Sequence, residues 1–179
     1  MKLKTGTAFV IMIVLIIGSV LFGAYKGWTE EKAHVDATYA GLESMLQTRV
    51  ETAYNILAVA KRHVPETDEA YQRVSMDLGQ LDNAYTDLSR KAEANDALGR
   101  DAAALLKALA ALDTVKNDSR DKMYVDNYLP QMLSESEQMT VGATYNQAAA
   151  EFNGRINRTF SGFLAKLMGI KPAEVFNAQ

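Results

Sequence analysis

VDATYAGLESMLQTRVETAYNILAVAKRHV, Val35 to Val64, decides the fold class of this chain. Val35, Tyr39, Leu42, Leu46, Val50, Ala53, Leu57, Ala60 and Val64 recur at steps of three and four, the repeat that lays one apolar stripe along a helix. A stripe of that length needs a partner surface, so it predicts a long helix packed in a bundle. The helix is expected to start at Thr29, whose hydroxyl can cap it with Glu31 and Lys32 behind, and to end at Val64, because Pro65 disfavours helical geometry in the residue before it.

Upstream, TGTAFVIMIVLIIGSVLFGAY, Thr5 to Tyr25, carries no charge. About 20 apolar residues rising 1.5 Å each are what a helix needs to cross hydrocarbon. The stretch is longer than the apolar region of a cleaved secretory signal, and Phe22 is misplaced for cleavage after Ala24. Residues 1–28 are therefore expected to form a retained single-pass anchor, with Tyr25 and Trp28 at the interface. Lys2, Lys4 and the terminal amine outweigh Lys26 and Lys32 by about one charge, which points the body out of the cytoplasm.

Downstream, Val74, Leu78, Leu81, Tyr85, Leu88 and Ala92 form a second stripe, with Thr67 as its cap and Pro65 as the corner. The short linker makes it antiparallel to the first. The pattern weakens at Asn95–Gly99 and resumes through Leu105, Leu109, Leu112 and Val115, as a separate helix or the tail of the second. KNDSRDK, Lys116 to Lys122, is the expected loop. A last long helix is traced through Val125, Leu129, Met132, Met139, Tyr145, Ala149, Phe152 and Ile156, and Pro130 either kinks it or stands in its first turn. The expected fold is all-α: one N-terminal transmembrane helix, then a long antiparallel three- or four-helix bundle over residues 29–160, then a short apolar segment, 161–179, that docks on the bundle or on a partner.

Composition excludes several functions. With 19 basic and 22 acidic residues, a net charge of −3 provides no concentrated basic face for nucleic acid. The absence of cysteine removes disulfides, thiolate nucleophiles and cysteine metal sites. His34 and His63, the only histidines, stand near opposite ends of the first helix and cannot share a metal. No HExxH, Walker or GxSxG pattern occurs, so no catalytic, cofactor-binding or metal site is expected, and the chain is read as no enzyme.

The C-terminal stretch YNQAAAEFNGRINRTFSGFLAKLMGIKPAEVF, Tyr145 to Phe176, places Asn146, Asn153 and Asn157 along one side of a helix, beside its apolar stripe. Asparagines there can hydrogen-bond a neighbouring helix and fix register, with Asn55 as a possible partner. Arg155 and Arg158 follow, able to meet lipid phosphate or acidic side chains. Phe163 and Leu167 lie in a short apolar segment suited to the bundle, the membrane or another protein.

This stretch resembles the LemA family through Tyr145, Asn146, Phe152, Asn153, Arg155, Ile156, Phe160, Gly169, Lys171, Pro172 and Phe176. ALGR, Ala97 to Arg100, and QTRVETAYNIL, Gln47 to Leu57, with Arg49, Asn55 and Leu57, are similar to the family as well. The proline usual before that asparagine is Tyr54 here, and the segment from Pro65 to Asn95 shows no match. The resemblance implies a membrane-anchored helical protein without an established biochemical activity. The expected role is a non-enzymatic interaction or scaffold protein of the bacterial envelope, engaging another envelope protein or copies of itself. The alternatives are a bundle that binds a small molecule or lipid, with Ala102–Ala111 lining its cavity, and an accessory subunit of a membrane enzyme.

Overall fold

The computed structural model describes residues 5–137 and 139–177, with the backbone alone described at Thr5 and Met139. Lys2 and Lys4, used in the charge count, and the side chain of Met139 lie outside them. All the regular structure described is helical, so the chain is all-α.

Helix α1 runs unbroken from Thr5 to Ala60. No helix starts at Thr29, because its hydroxyl donates to the Tyr25 carbonyl one turn back, at 2.8 Å, and leaves the helical ladder intact. The apolar stretch and the first stripe are thus one element. It ends before the expected Val64: the amides of Arg62 and His63 turn to the carbonyls of Val59 and Ala60, tightening the chain ahead of Pro65. Helix α2, Glu69–Asp82, is capped by Asp68 rather than Thr67; its carboxylate accepts from the Ala70 and Tyr71 amides at 2.9 and 3.1 Å.

The second stripe is cut in two. Helix α2 stops at Asp82 and α3 spans Leu88–Ala111, because the Asn83 side chain accepts the Tyr85 amide and Asp87 accepts the Arg90 amide, each at 2.9 Å. Those local bonds take donors that a continuous helix would use. Tyr85 is left 98% exposed instead of on the stripe. Asn95–Gly99 falls inside α3, and Ala102–Ala111 is the second half of the same helix. After a single turn, α4 (Asp113–Lys116), the expected loop narrows to Asn117 and Asp118, and the Asp118 carboxylate caps α5, Ser119–Met123.

A π-helical turn, Tyr124–Tyr128, joins α5 to α6, Leu129–Glu135, with the Leu129 amide reaching the Tyr124 carbonyl five residues back. Pro130, with no N–H to give, stands directly after the π turn, in the first turn of α6. The wide turn shifts the inward face by one residue: Leu133 is 8% exposed, and Met132, expected on the stripe, is 36% exposed. The last stripe is broken again before α7, Met139–Arg158. Helix α8, Phe160–Leu167, follows at once, its first turn capped by the Thr159 hydroxyl, which accepts the Gly162 amide at 3.0 Å. Gly169, at φ +90, turns the chain out of α8 through a backbone region that other residues rarely enter.

The chain packs as two compact units, Met1–Ala37 with Gln147–Ala173, and Thr38–Asn146 with Glu174–Gln179. In the first, Trp28 is buried edge-on against Phe152, ring centroids 5.9 Å apart, with Val35, Ala149 and Ile156 buried as well. In the second, Leu42, Ile56, Leu81, Leu98, Leu105 and Leu129 are core residues, and α2 packs on α3 as a hairpin. There α1 and α7 run antiparallel, Tyr39 facing Tyr145 at 5.7 Å and Gly41 facing Val141.

Candidate functional site

The second unit holds a groove that grips main chain. Helix α7 presents Gly142, Tyr145 and Asn146 at steps of three and one, and the start of α3 presents Leu88, Ser89 and Ala92. Into this groove comes the helix-free segment from Glu174 to Asn177. The Asn146 carboxamide takes both polar groups of one residue, accepting the Phe176 amide at 2.8 Å and donating to the Phe176 carbonyl at 2.6 Å. The Tyr145 hydroxyl donates to the Glu174 carbonyl at 2.6 Å, and the Ser89 hydroxyl to the Asn177 carbonyl at 2.9 Å.

Side chains complete the fit. The Phe176 ring lies so close over Gly142 that a Cβ there would stand 3.3 Å from its Cδ1. Beside it is a cavity of about 280 Å³ bounded by Met45, Ala92, Asn95, Ala143 and Asn146. The Glu174 carboxylate accepts the Leu88 amide at 3.4 Å, at a helix N-terminus that favours an anion. Burial first, then the carboxylates of Glu43 and Glu174, push the Tyr39 phenol above its ordinary pKa. One carboxamide that satisfies a residue's N–H and C=O together does what a neighbouring β-strand would do, without reading the side chain.

The same pairing recurs in the first unit, where Asn153 accepts the Ala173 amide and donates to the Ala173 carbonyl, both at 2.8 Å. Asn157 accepts from Lys166 Nζ at 3.1 Å. Arg155 reaches Glu31 at 2.9 Å and lies 5.9 Å from the Trp28 ring centre. Arg158 is exposed at the end of α7, and Phe163 and Leu167 are exposed on α8. The partners of Asn146 and Asn153 are thus segments of tail main chain rather than a neighbouring helix, and Asn55 is exposed on α1.

Sequence reasoning passed over two buried polar centres in the second unit. Arg49, 1% exposed, donates through Nη1 to the Leu133 carbonyl at 3.1 Å and Ser136 Oγ at 3.3 Å, and through Nη2 to the Asn95 carbonyl at 3.4 Å. Burial lowers its pKa, against the carboxylates of Glu137 and Asp96. A cavity of about 470 Å³ adjoins it, walled by Ala103, Leu106, Ala110, Val125 and Leu133. The available signal was position: Arg49 stands three residues after Leu46 and four before Ala53, on the stripe itself. The second centre is Asp121, wholly buried, which accepts from Arg62 Nε and Nη2 at 2.7 Å each and pairs with His63 Nε2 at 2.9 Å. It ties the end of α1 to α5.

No family model matches the chain, and no curated protein does.

Proposed function

We propose that this chain is a membrane-anchored, LemA-like helical protein of the bacterial envelope that works by holding other proteins, or copies of itself, and not by catalysis. The observation that carries the reading is the groove of the second unit, in which Asn146 binds both main-chain groups of Phe176. Main-chain recognition accepts many sequences, and the aromatic seat at Gly142 adds a preference for one large ring. A partner segment entering the groove would displace residues 174–177, so the tail is its internal competitor. The anchor reading draws on α1, which is long and apolar enough to cross a membrane and whose apolar window contains no buried residue.

The test uses the full-length protein with a photoreactive residue at the exposed Ala143, irradiated in intact cells, extracted in detergent and identified by mass spectrometry. The reading expects an adduct with another envelope protein or a second copy, weakened by Asn146→Ala. Adducts confined to the chain's own tail would overturn it.

A second reading, a bundle that binds a small molecule or lipid, is favoured by the apolar cavity beside Arg49. It expects a co-purifying mass in native mass spectrometry that Ala103→Trp removes.

A further inference from the structure

We propose that α8 lies in the membrane interface, with Phe160, Phe163 and Leu167 turned into lipid beside the end of the apolar stretch of α1; the inference rests on the anchor reading of α1. Among the described residues of the first unit, every exposed large apolar side chain belongs either to α1, between Phe9 and Tyr25, or to α8, where Phe160 is 76%, Phe163 53% and Leu167 70% exposed. The opposite face of α8 is committed to the unit's interior, with Gly162 and Ala165 buried. The Phe160 and Phe163 rings stack, centroids 6.4 Å apart, so the exposed edge is a continuous apolar ridge and not scattered contacts.

Height along α1 matches. Trp28 meets Phe152, and Val35 shares a cavity wall with Ala148, so in this unit α7 descends antiparallel toward the N-terminal end of α1. From Phe152 the helix runs on to Arg158, about 9 Å further, which brings the start of α8 level with the turn Leu21–Ala24. Between residues 6 and 27, Leu21 and Ala24 alone are partly covered, and they continue the inward stripe of Trp28 and Val35. Helix α8 therefore begins inside the apolar stretch, ahead of the interfacial Tyr25.

Charge fits the same occupant. Residues 152–173 contain Arg155, Arg158, Lys166 and Lys171 and no acidic residue. Arg155 is paired with Glu31 and Lys166 donates to Asn157, which leaves the exposed Arg158 and Lys171 to meet phosphate at the headgroup boundary, beside a short helix with Phe and Leu on one edge. A protein partner for this ridge would have to reach it within the lipid boundary.

The chain lacks cysteine, so Phe163→Cys, Val14→Cys and Tyr85→Cys each give a single site for a spin label, with Leu167→Cys as a second α8 position should the first fail to fold. The full-length variants are placed one copy per nanodisc of zwitterionic and anionic lipid. Relaxation by oxygen, which partitions into lipid, is compared with relaxation by a water-soluble nickel chelate. Val14 reports the bilayer and Tyr85 reports water. The proposal expects residue 163 to resemble Val14, with oxygen dominating. A nickel-dominated signal at 163 beside an oxygen-dominated one at Val14 overturns the placement of α8 and leaves the anchor standing; nickel dominance at Val14 overturns the anchor and this inference with it. Shielding from both reagents, with dipolar broadening once two copies share a disc, overturns it in favour of a contact between copies.

Discussion

The guanidinium of Arg49 occupies the space that a side chain at position 99 would need: a Cβ built on Gly99 runs into Nη2 of Arg49. Arg49 lies in α1 and Gly99 in α3, and the missing side chain lets a long cation enter the interior and donate to the Asn95 and Leu133 carbonyls. A buried charge held by carbonyl and hydroxyl oxygens depends on that geometry, since its desolvation is offset only while those bonds are made.

Gly99→Ala sets two effects against each other. Alanine gains about 1 kcal/mol over glycine in a helix interior, while forcing an extra carbon into a packed site costs about 1–3 kcal/mol. With Arg49 bonded at both terminal nitrogens, overpacking wins, and a net loss of about 1 kcal/mol is expected in urea unfolding at unchanged slope. In an Arg49→Met background the same substitution is expected to stabilise. A double-mutant cycle with no coupling between the two positions would refute the relationship.

Asn146→Ala removes both bonds to Phe176 and is expected to abolish hydrogen-exchange protection of the Phe176 amide, with a cost near 1 kcal/mol because water replaces the lost partners. Asn146→Asp is the sharper variant: the carboxylate still accepts the amide but cannot donate to the carbonyl. Amide protection that is partly retained in Asp and lost in Ala would identify the bidentate grip.

Asp121 is held at about 2, first by the hydrogen bonds from Arg62, then by that from His63, against the opposing effect of burial. A depressed carboxylate stabilises the fold above its unfolded value and loses that contribution as pH falls through it. Asp121→Asn is expected to cost about 2 kcal/mol at pH 7, with the difference closing between about pH 4 and pH 2. A cost that stays constant down to pH 2 would rule out the ion pair as its source.

Asp77 has the opposite sign. Burial first, then a hydrogen bond with Asp101 and that residue's charge, push its pKa up to about 6. The native chain keeps a proton that the unfolded chain has released, so stability falls as pH rises from about 4 to about 6, by on the order of 2 kcal/mol. Asp77→Asn should flatten that slope and raise the thermal midpoint at pH 7. A variant less stable than the parent at pH 7 would show that ionised Asp77 is well accommodated.

The α1 stripe was legible because Leu42, Leu46, Val50 and Ala53 keep helical spacing over many turns and all are buried. The break at Asn83–Asp87 was not, since apolar Leu81, Tyr85 and Leu88 keep the same spacing across a linker that two short polar side chains hold open. Arg49 was visible in the resemblance but not as an interior residue, because only the fold brings Gly99 against it. Asn146 and Asn153 stood out beside an apolar face. Their partners were hidden because a carboxamide binds main chain, and main chain leaves no mark in a sequence.

Asp121, Val125, Leu129 and Leu133 are all buried and all four residues apart. An α-helix turns about 100° per residue, so each step of four overshoots by about 40°, and three steps would swing the face roughly a third of a turn away. The π turn at Tyr124–Tyr128 absorbs that excess. This helix therefore carries one residue more than an α-helical path requires, and loss of a single codon there would leave both flanks facing as they do now. Length variation, which proteins usually confine to loops, has room here in the middle of a packed helix.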